Sequence, residues 1–343
     1  MISVLIVDDS ALMRKILSDI LSSDHDIRVI GTAMNGLIAI ERVKKLNPDV
    51  VTMDLRMPEM DGISAIKAIM KECPVPIIIV SAYTKEDSKE AIEGMEAGAV
   101  DFIQKPSGEI SKDIELIKEQ IINKVRTAAG AKVKKLEIAA PPAQDFTSAK
   151  KDKILVIGAS TGGPQTLEYL LIGFPKNFPV PILIAQHMPP EFTKTFASRL
   201  NQICYIDVKE AEEGDTIKEG CALIAPGGFH MVLEKEKEKS KSRIKLIKDD
   251  AGELGPKPSV NMLFRSAAKI FEKNTIGVIL TGMGKDGTDG CREIKRFEGT
   301  VIAESEESCV IYGMPKSVID ERLADDIVTL EKMAGRIISA IEM

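Results

Sequence analysis

Ile154-Leu155-Val156-Ile157-Gly158-Ala159-Ser160-Thr161-Gly162-Gly163-Pro164 is the stretch that decides the fold. Its first four residues are aliphatic on both faces, as a strand covered on both sides requires, glycines then turn the chain, and Pro164 suits the first turn of a helix. Beyond it the alternation continues. Strands are predicted at Ile182–Ala185, Ala222–Ala225, Ile276–Leu280 and Val301–Ile302, and helices at Pro164–Leu171, Phe192–Leu200, Val260–Phe271, Gly290–Phe297 and Glu331–Ile341. One unit departs from this order: His230–Leu233 and Ile244–Ile247 pair as a hairpin across the mixed-charge run Glu234–Arg243, whose alternating signs read as a solvated tip.

On the other side of the stretch, residues 126–151 carry no apolar period and contain Pro141-Pro142 and small residues, the composition of a flexible linker with a frayed helix leading in. Before the linker the β-α pattern is present again. Val4–Val7, Ile27–Thr32, Val50–Met53, Ile77–Val80 and Ala99–Ile103 read as strands, with Leu12-Ile16-Leu17-Ile20-Leu21, Ile38-Ala39-Val43-Leu46 and Ile63-Ile66-Ile69-Met70 at helical spacing between them. The fold class expected is α/β. It consists of two doubly wound parallel-sheet (αβα) domains, residues 1–125 and 152–343, joined by a linker over 126–151, the second with an added β-hairpin. A length of 343 residues suits two domains.

Charge and cysteine content narrow the function classes. The first 125 residues hold 15 basic and 21 acidic side chains, whereas the remainder holds 31 of each, so all of the net −6 lies in the first third. Neither part has the basic excess of a nucleic-acid binder, which argues against a DNA-binding output. No apolar run reaches the roughly 18 residues needed to cross a bilayer, and Met1–Asp9 lacks a basic region and meets two acids too early for a signal peptide. A cytoplasmic monomer without membrane insertion is expected. The five cysteines, Cys73, Cys204, Cys221, Cys291 and Cys309, show no C-x-x-C spacing and read as buried thiols.

Asp8 and Asp9 close the first predicted strand, Asp54 the third and Ser81 the fourth, and Lys105-Pro106 follows the fifth. Ligands of doubly wound sheets bind beyond the carboxyl ends of the strands, so these scattered residues converge in one crevice. Three crowded carboxylates need a cation, and an all-oxygen set with room for water suits Mg²⁺. Carboxylate, metal, lysine and hydroxyl together equip the crevice to place a phosphoryl group on an aspartate. The region resembles the response-regulator receiver family along its whole length. The resemblance implies Asp54 as phosphoacceptor, Asp8, Asp9, Asp54 and the backbone carbonyl of Arg56 around Mg²⁺, Lys105 on the phosphoryl group, Ser81 and Phe102 as the switch pair, and a cis Lys105–Pro106 peptide.

In the second domain the Gly-rich turn admits two readings. A dinucleotide site wants an acid at the end of the next strand, and Ile182–His187 offers none. A Tyr-x-x-x-Lys reductase pair at Tyr312 and Lys316 is opposed by Gly313 and Pro315, which keep one helical turn from aligning them. The other reading makes Ser160 a nucleophile exposed at a strand-to-helix turn. Of the three histidines, His25 falls in the first domain, and His187 ends the next strand on the same rim and is the preferred base. His230 begins the hairpin, where it either lines the site or packs structurally. Asp286 follows the strand Ile276–Leu280 and is placed to orient His187, its competing role being N-cap to the helix near Gly290. Glycines flanking Met283 let its N–H approach a developing oxyanion, and the amide of Thr161 is a second candidate.

Gly158–Pro164, Gln186-His187-Met188-Pro189, Ala225–His230, Thr281–Gly287 and Tyr312–Lys316 together resemble the catalytic domain of the chemotaxis protein-glutamate methylesterases, from about Asp152 to the end. Lys257-Pro258-Ser259-Val260-Asn261 departs from the pattern, because that family usually has Arg and Asp at its ends. The resemblance implies hydrolysis of glutamate methyl esters, and deamidation of certain glutamines, on chemoreceptors. It assigns Ser160, His187 and Asp286 to catalysis, needs no cofactor for the esterase step, and implies a chemotaxis histidine kinase as phosphodonor. The receiver is expected to cover the Ser160 rim until it is phosphorylated.

Overall fold

In the first sheet, two mainly apolar central strands end on Asp54 and Ser81, which brings polar groups to one edge. The computed structural model of the chain describes residues 1–82, 84–105, 113–133, 152–235, 242–248 and 255–343. It divides into two compact units, Met1–Lys135 and Leu136–Met343. Unit 1 alternates β1 (Ile2–Val7), α1 (Ala11–Ser22), β2 (Ile27–Ala33), α2 (Gly36–Leu46), β3 (Val50–Asp54), α3 (Gly62–Glu72), β4 (Ile77–Ser81), α4 (Lys85–Glu96), β5 (Asp101–Gln104) and α5 (Asp113–Ala129). The strands pair in parallel in the order β2-β1-β3-β4-β5. Val7 lies opposite Met53, which brings Asp8 and Asp54 side by side where the strand order reverses. Leu5, Ile6, Leu17, Leu21, Ile66 and Ile69 are fully buried, so truncating any one to Ala is expected to cost about 2–5 kcal/mol. Side chains of Ser10, Asn35 and Asp61 cap α1, α2 and α3, fixing three helix starts on the same edge.

Two expectations change here. The fifth strand begins at Asp101 and not Ala99, because Gly98 takes φ +122° and the Ala99 N–H bonds the Gly94 carbonyl, making Ala99 part of the turn that ends α4. Helix α5 continues to Ala129, so residues 126–129, read as linker, are helical. Pro106 lies outside the described residues, and with it the Lys105–Pro106 peptide; most of the linker and the hairpin tip from 236 to 241 lie outside them too.

Unit 2 contains β6 (Ile154–Ala159), α6 (Gly163–Ile172), β7 (Ile182–Gln186), α7 (Phe192–Ile203), β8 (Asp207–Glu210), β9 (Cys221–Ile224), β10 (His230–Lys235), β11 (Ser242–Ile247), α8 (Val260–Phe271), β12 (Thr275–Ile279), α9 (Thr288–Arg296), β13 (Thr300–Glu304), α10 (Met314–Asp320), β14 (Asp326–Val328) and α11 (Leu330–Glu342). Seven strands pair in parallel in the order β14-β13-β12-β6-β7-β9-β8. The direction of winding reverses between β6 and β12. β8 and β14 went unread because they are short, polar edge strands, and α10 because Pro315 looks like a breaker but occupies its first turn. The antiparallel pair β10-β11 forms its own sheet and buries Met231, Leu233 and Ile244 in a cluster with Leu263, Phe264 and Ala267 of α8. Among the described residues, no helix is long and apolar enough to cross a membrane.

Candidate active site

β6, β7 and β12 end together, and the residues just past their ends make the site in unit 2. The Ser160 N–H donates to the Thr281 carbonyl (3.0 Å) and the His187 N–H to the Ala159 carbonyl (3.1 Å), so each turn continues the sheet ladder by one bond. The loop after β12 comes this close only because residue 282 is glycine. A Cβ there would lie 2.7 Å from Ser160 Cβ and 2.5 Å from Met314 Sδ.

His187 Nδ1 is 3.1 Å from Ser160 Oγ, and its Nε2 is 2.8 Å from Asp286 Oδ2. A carboxylate can only accept, so Nε2 carries the proton and Nδ1 is left bare to receive the Ser160 hydroxyl. Asp286 is itself held at the start of α8. Its oxygens accept the N–H groups of Val260 (2.7 Å) and Asn261 (3.0 Å) and the Ser259 hydroxyl (3.2 Å). Burial pushes the Asp286 carboxyl up, but His187 and the Asn261 and Val260 amides outweigh it and hold the group below the usual carboxylate range. The competing role for Asp286 is corrected in detail: it caps α8 and not α9. The N-cap of α9 is Gly287, and its amides at Gly287 and Gly290 are taken by Asn261 Oδ1 (3.0 and 2.8 Å). The loop before α9 therefore caps α8 through Asp286, and the first turn of α8 caps α9 in return, which is the part played by Asn261. Lys257, joined to Pro258 by a cis peptide, donates from Nζ to the Lys248 carbonyl at 3.0 Å.

Met283 stands next to this group with a partly exposed side chain, and its loop is pinned by Gly313 and Met314 N–H groups on the Gly282 carbonyl (3.1 and 2.8 Å). Thr161 is buried, and its carbonyl accepts the Thr281 hydroxyl at 3.0 Å. Tyr312 lies before α10, while Lys316 is on it and pairs with Asp320. His230 is fully buried and accepts the Ser259 N–H at Nδ1 (3.2 Å), supporting the residue that bonds Asp286. His25 is on the surface beside Asp26.

Two further residues support the site: Gln186, whose role is not apparent from the motif that contains it, and Glu304, which lies in none. Gln186 bonds the carbonyls of Ser160 and His187. Glu304, fully buried at the end of β13, accepts the Thr281 N–H (2.8 Å) and the Ser308 hydroxyl (2.9 Å). Burial raises its carboxyl to about 7 against the pull of those two donors.

In unit 1, carboxylate oxygens of Asp8, Asp9 and Asp54 lie within 4.8 Å of one another. Lys105 Nζ is 2.7 Å from Asp54 Oδ2 and 3.2 Å from Asp8 Oδ2. Burial lifts the Asp54 carboxyl above its ordinary value despite Lys105, with the Asp8 charge adding to the lift, while the two carboxylates keep Lys105 above its own despite burial. Three acids against one lysine leave excess negative charge on oxygen donors alone, which fits Mg²⁺. Arg56 turns its side chain to Asp87 (3.1 Å) and Glu90 (2.9 Å) of α4, so what it offers the pocket is backbone. Ser81 is buried at the end of β4, its hydroxyl donating to the Ala82 carbonyl (3.1 Å). Phe102 is buried in β5, with Lys124 Nζ 5.2 Å from its ring centre.

Residues 155–337 match the family described as CheB methylesterase, and residues 4–115 match the response regulator receiver domain. The chain belongs to the CheB methylesterase family. A protein-glutamate methylesterase/protein-glutamine glutaminase of Halalkalibacterium halodurans is 48% identical over 341 residues, 98% of this chain and 97% of that one. One of the same name from Thermotoga maritima is 44% identical, covering 99% of this chain and 98% of its own. The crystal structure of the Thermotoga maritima CheB methylesterase catalytic domain is 48% identical with a TM-score of 0.52, spanning 55% of this chain and 97% of that one.

Proposed function

We propose that this chain is a cytoplasmic, phosphorylation-activated serine hydrolase that demethylates glutamate methyl esters, and deamidates specific glutamines, on chemoreceptors. The observation that carries the reading is the unbroken relay from Ser160 through His187 to Asp286, with distances of 3.1 and 2.8 Å. Ser160 Oγ attacks the ester carbonyl while His187 Nδ1 takes its proton. The oxyanion forms toward the N–H of Met283, with that of Thr161 as second donor. His187 returns the proton to the departing methoxide, releasing methanol, or to the departing amine when a glutamine is the substrate. A water that loses its proton to His187 then cleaves the acyl-enzyme, regenerating Ser160 and leaving a glutamate. Asp286 keeps Nε2 protonated and balances the transient imidazolium.

Residues 1–129 act as the receiver, 130–151 as the linker and 152–343 as the hydrolase. Asp54 accepts the phosphoryl group from a chemotaxis histidine kinase. Asp8, Asp9, Asp54 and the Arg56 carbonyl would hold Mg²⁺, which shields the developing charge when bound. Lys105 balances the transferred group, and Ser81 with Phe102 relays its presence. Phosphorylation lifts an inhibition that the receiver exerts on the hydrolase.

Methanol release from methylated receptor membranes, with and without a small-molecule phosphodonor, tests the reading. The full chain is expected to be stimulated and Ser160→Ala to be inactive under both conditions. A fragment from residue 150 to 343 is expected to match the stimulated rate; a rate equal to the unstimulated full chain would rule out inhibition by the receiver.

A further inference from the structure

Gln186 ends β7, one residue before His187, and is 2% exposed. Its Nε2 donates to the Ser160 carbonyl (2.9 Å) and to the His187 carbonyl (3.2 Å). The reversed amide would press Oε1 against two carbonyl oxygens, so the hydrogen bonds themselves select the orientation. Oε1 then points at Gly163, where a Cβ would lie 2.0 Å away, and it is buried with no hydrogen-bond partner among the described residues. A buried, unsatisfied amide oxygen destabilises the fold, and an apolar side chain of the same length would avoid that cost. The benefit of an amide here lies with Nε2, whose two acceptors belong to the residues that carry the hydroxyl and the imidazole.

Register adds to this. Ala159 and Gln186 are the last partners of the β6-β7 ladder, and beyond them the His187 N–H to the Ala159 carbonyl (3.1 Å) is the last backbone bond of the ladder. The Ser160 carbonyl also accepts the Gly163 N–H (2.7 Å), which closes its own turn but does not reach the neighbouring one. We propose that Gln186 is a positioning residue for the hydrolysis: its amide ties the Ser160 turn to the His187 turn and sets the approach of Nδ1 to Oγ, and Gly163 lacks a side chain so that this amide fits. The inference rests on the reading of Ser160 as nucleophile and His187 as base.

The test uses the full-length chain and diisopropyl fluorophosphate. In that reaction an Oγ–P bond forms at Ser160, the P–F bond breaks, and the serine proton leaves through His187 to solvent as fluoride departs. Gln186→Met is expected to slow labelling of Ser160 by about 10- to 100-fold while leaving the melting temperature equal or higher. Methanol release should lose kcat at nearly constant KM. Labelling of Gln186→Met at the wild-type rate, or slowing in proportion to a lost melting transition, would overturn the proposal. Gly163→Ala attacks the same contact from the other side, and it keeps the test open should Gln186→Met fail to fold. It is expected to slow labelling in the wild-type background and to add much less in a Gln186→Ala background, where only the Ala159 Cβ at 3.0 Å remains against the new methyl. Penalties that simply add would count against the shared contact. Labelling of Ser160→Ala would instead show that the nucleophile is another residue, a failure of the underlying reading and not of the role of Gln186.

Discussion

Asp54 and Asp286 serve the same edge of two parallel sheets where the winding reverses, Asp54 as the last residue of β3 and Asp286 in the loop after β12, yet their carboxyls are pushed in opposite directions. Both are desolvated. Around Asp54 the neighbours are two more carboxylates, one lysine and the distant Arg56 amide (3.5 Å), so burial and like charge prevail. Around Asp286 they are two helix-start amides, a hydroxyl and an imidazole, all donors, so the charged form prevails. The edge of the sheet is the same, and the donors and charges lining it decide the chemistry. A carboxylate starved of donors suits a cation and an incoming phosphoryl group. One saturated with donors stays charged and suits the orientation of an imidazole.

The largest effect that would break this contrast is at the nucleophile. Ser160→Ala is expected to lower methanol release by about 10⁴-fold or more while Asp54 is still phosphorylated, as checked by phosphate incorporation. Residual hydrolysis near the wild-type rate would remove the relay from the argument. Asp286→Asn keeps the shape but loses the charge, and about 10²- to 10⁴-fold of kcat should go with it. If only the melting temperature fell, Asp286 would be a helix cap and nothing more. Chelating divalent cations should abolish the phosphodonor-stimulated increment and leave unstimulated hydrolysis unchanged, because the second carboxylate has donors in place of a cation.

A smaller effect comes from Glu304. Its folded value of about 7 lies above the ordinary 4.5, so the folded chain keeps a proton that the unfolded chain has released. The contribution of Glu304 to stability is therefore greatest below pH 4.5 and declines until the pH passes 7, by about 3 kcal/mol at most. Denaturant titrations across that window should show Glu304→Gln losing less stability than the wild type. Asn261→Ala, which removes the acceptor of the Gly287 and Gly290 amides, is expected to cost about 1 kcal/mol, read in the same titrations.

Much of both sites was legible in the sequence for a simple reason: strand ends are easy to locate in a doubly wound chain, and polar residues at strand ends share an edge. Asp8, Asp54 and Lys105 in one unit, and Ser160, His187 and Asp286 in the other, follow from that rule. Gln186, Glu304 and Asn261 do not. Each is an ordinary polar residue whose importance depends on which backbone groups it meets across an element boundary, and no spacing encodes that. The edge strands β8 and β14 were hidden by their polarity, and α10 by a proline that looks like a breaker until its position in the first turn is seen.

The sequence by itself determined the two β-α units, the family and the residue types available for chemistry, because hydrophobic period and strand-end polarity are local properties. Only the tertiary structure decided which nitrogen of His187 faces Ser160, that Asp286 is held by α8 while Asn261 holds α9, and that an amide at Gln186 spans two turns. Those are questions of direction over a few ångströms between segments far apart in the chain, and packing sets them.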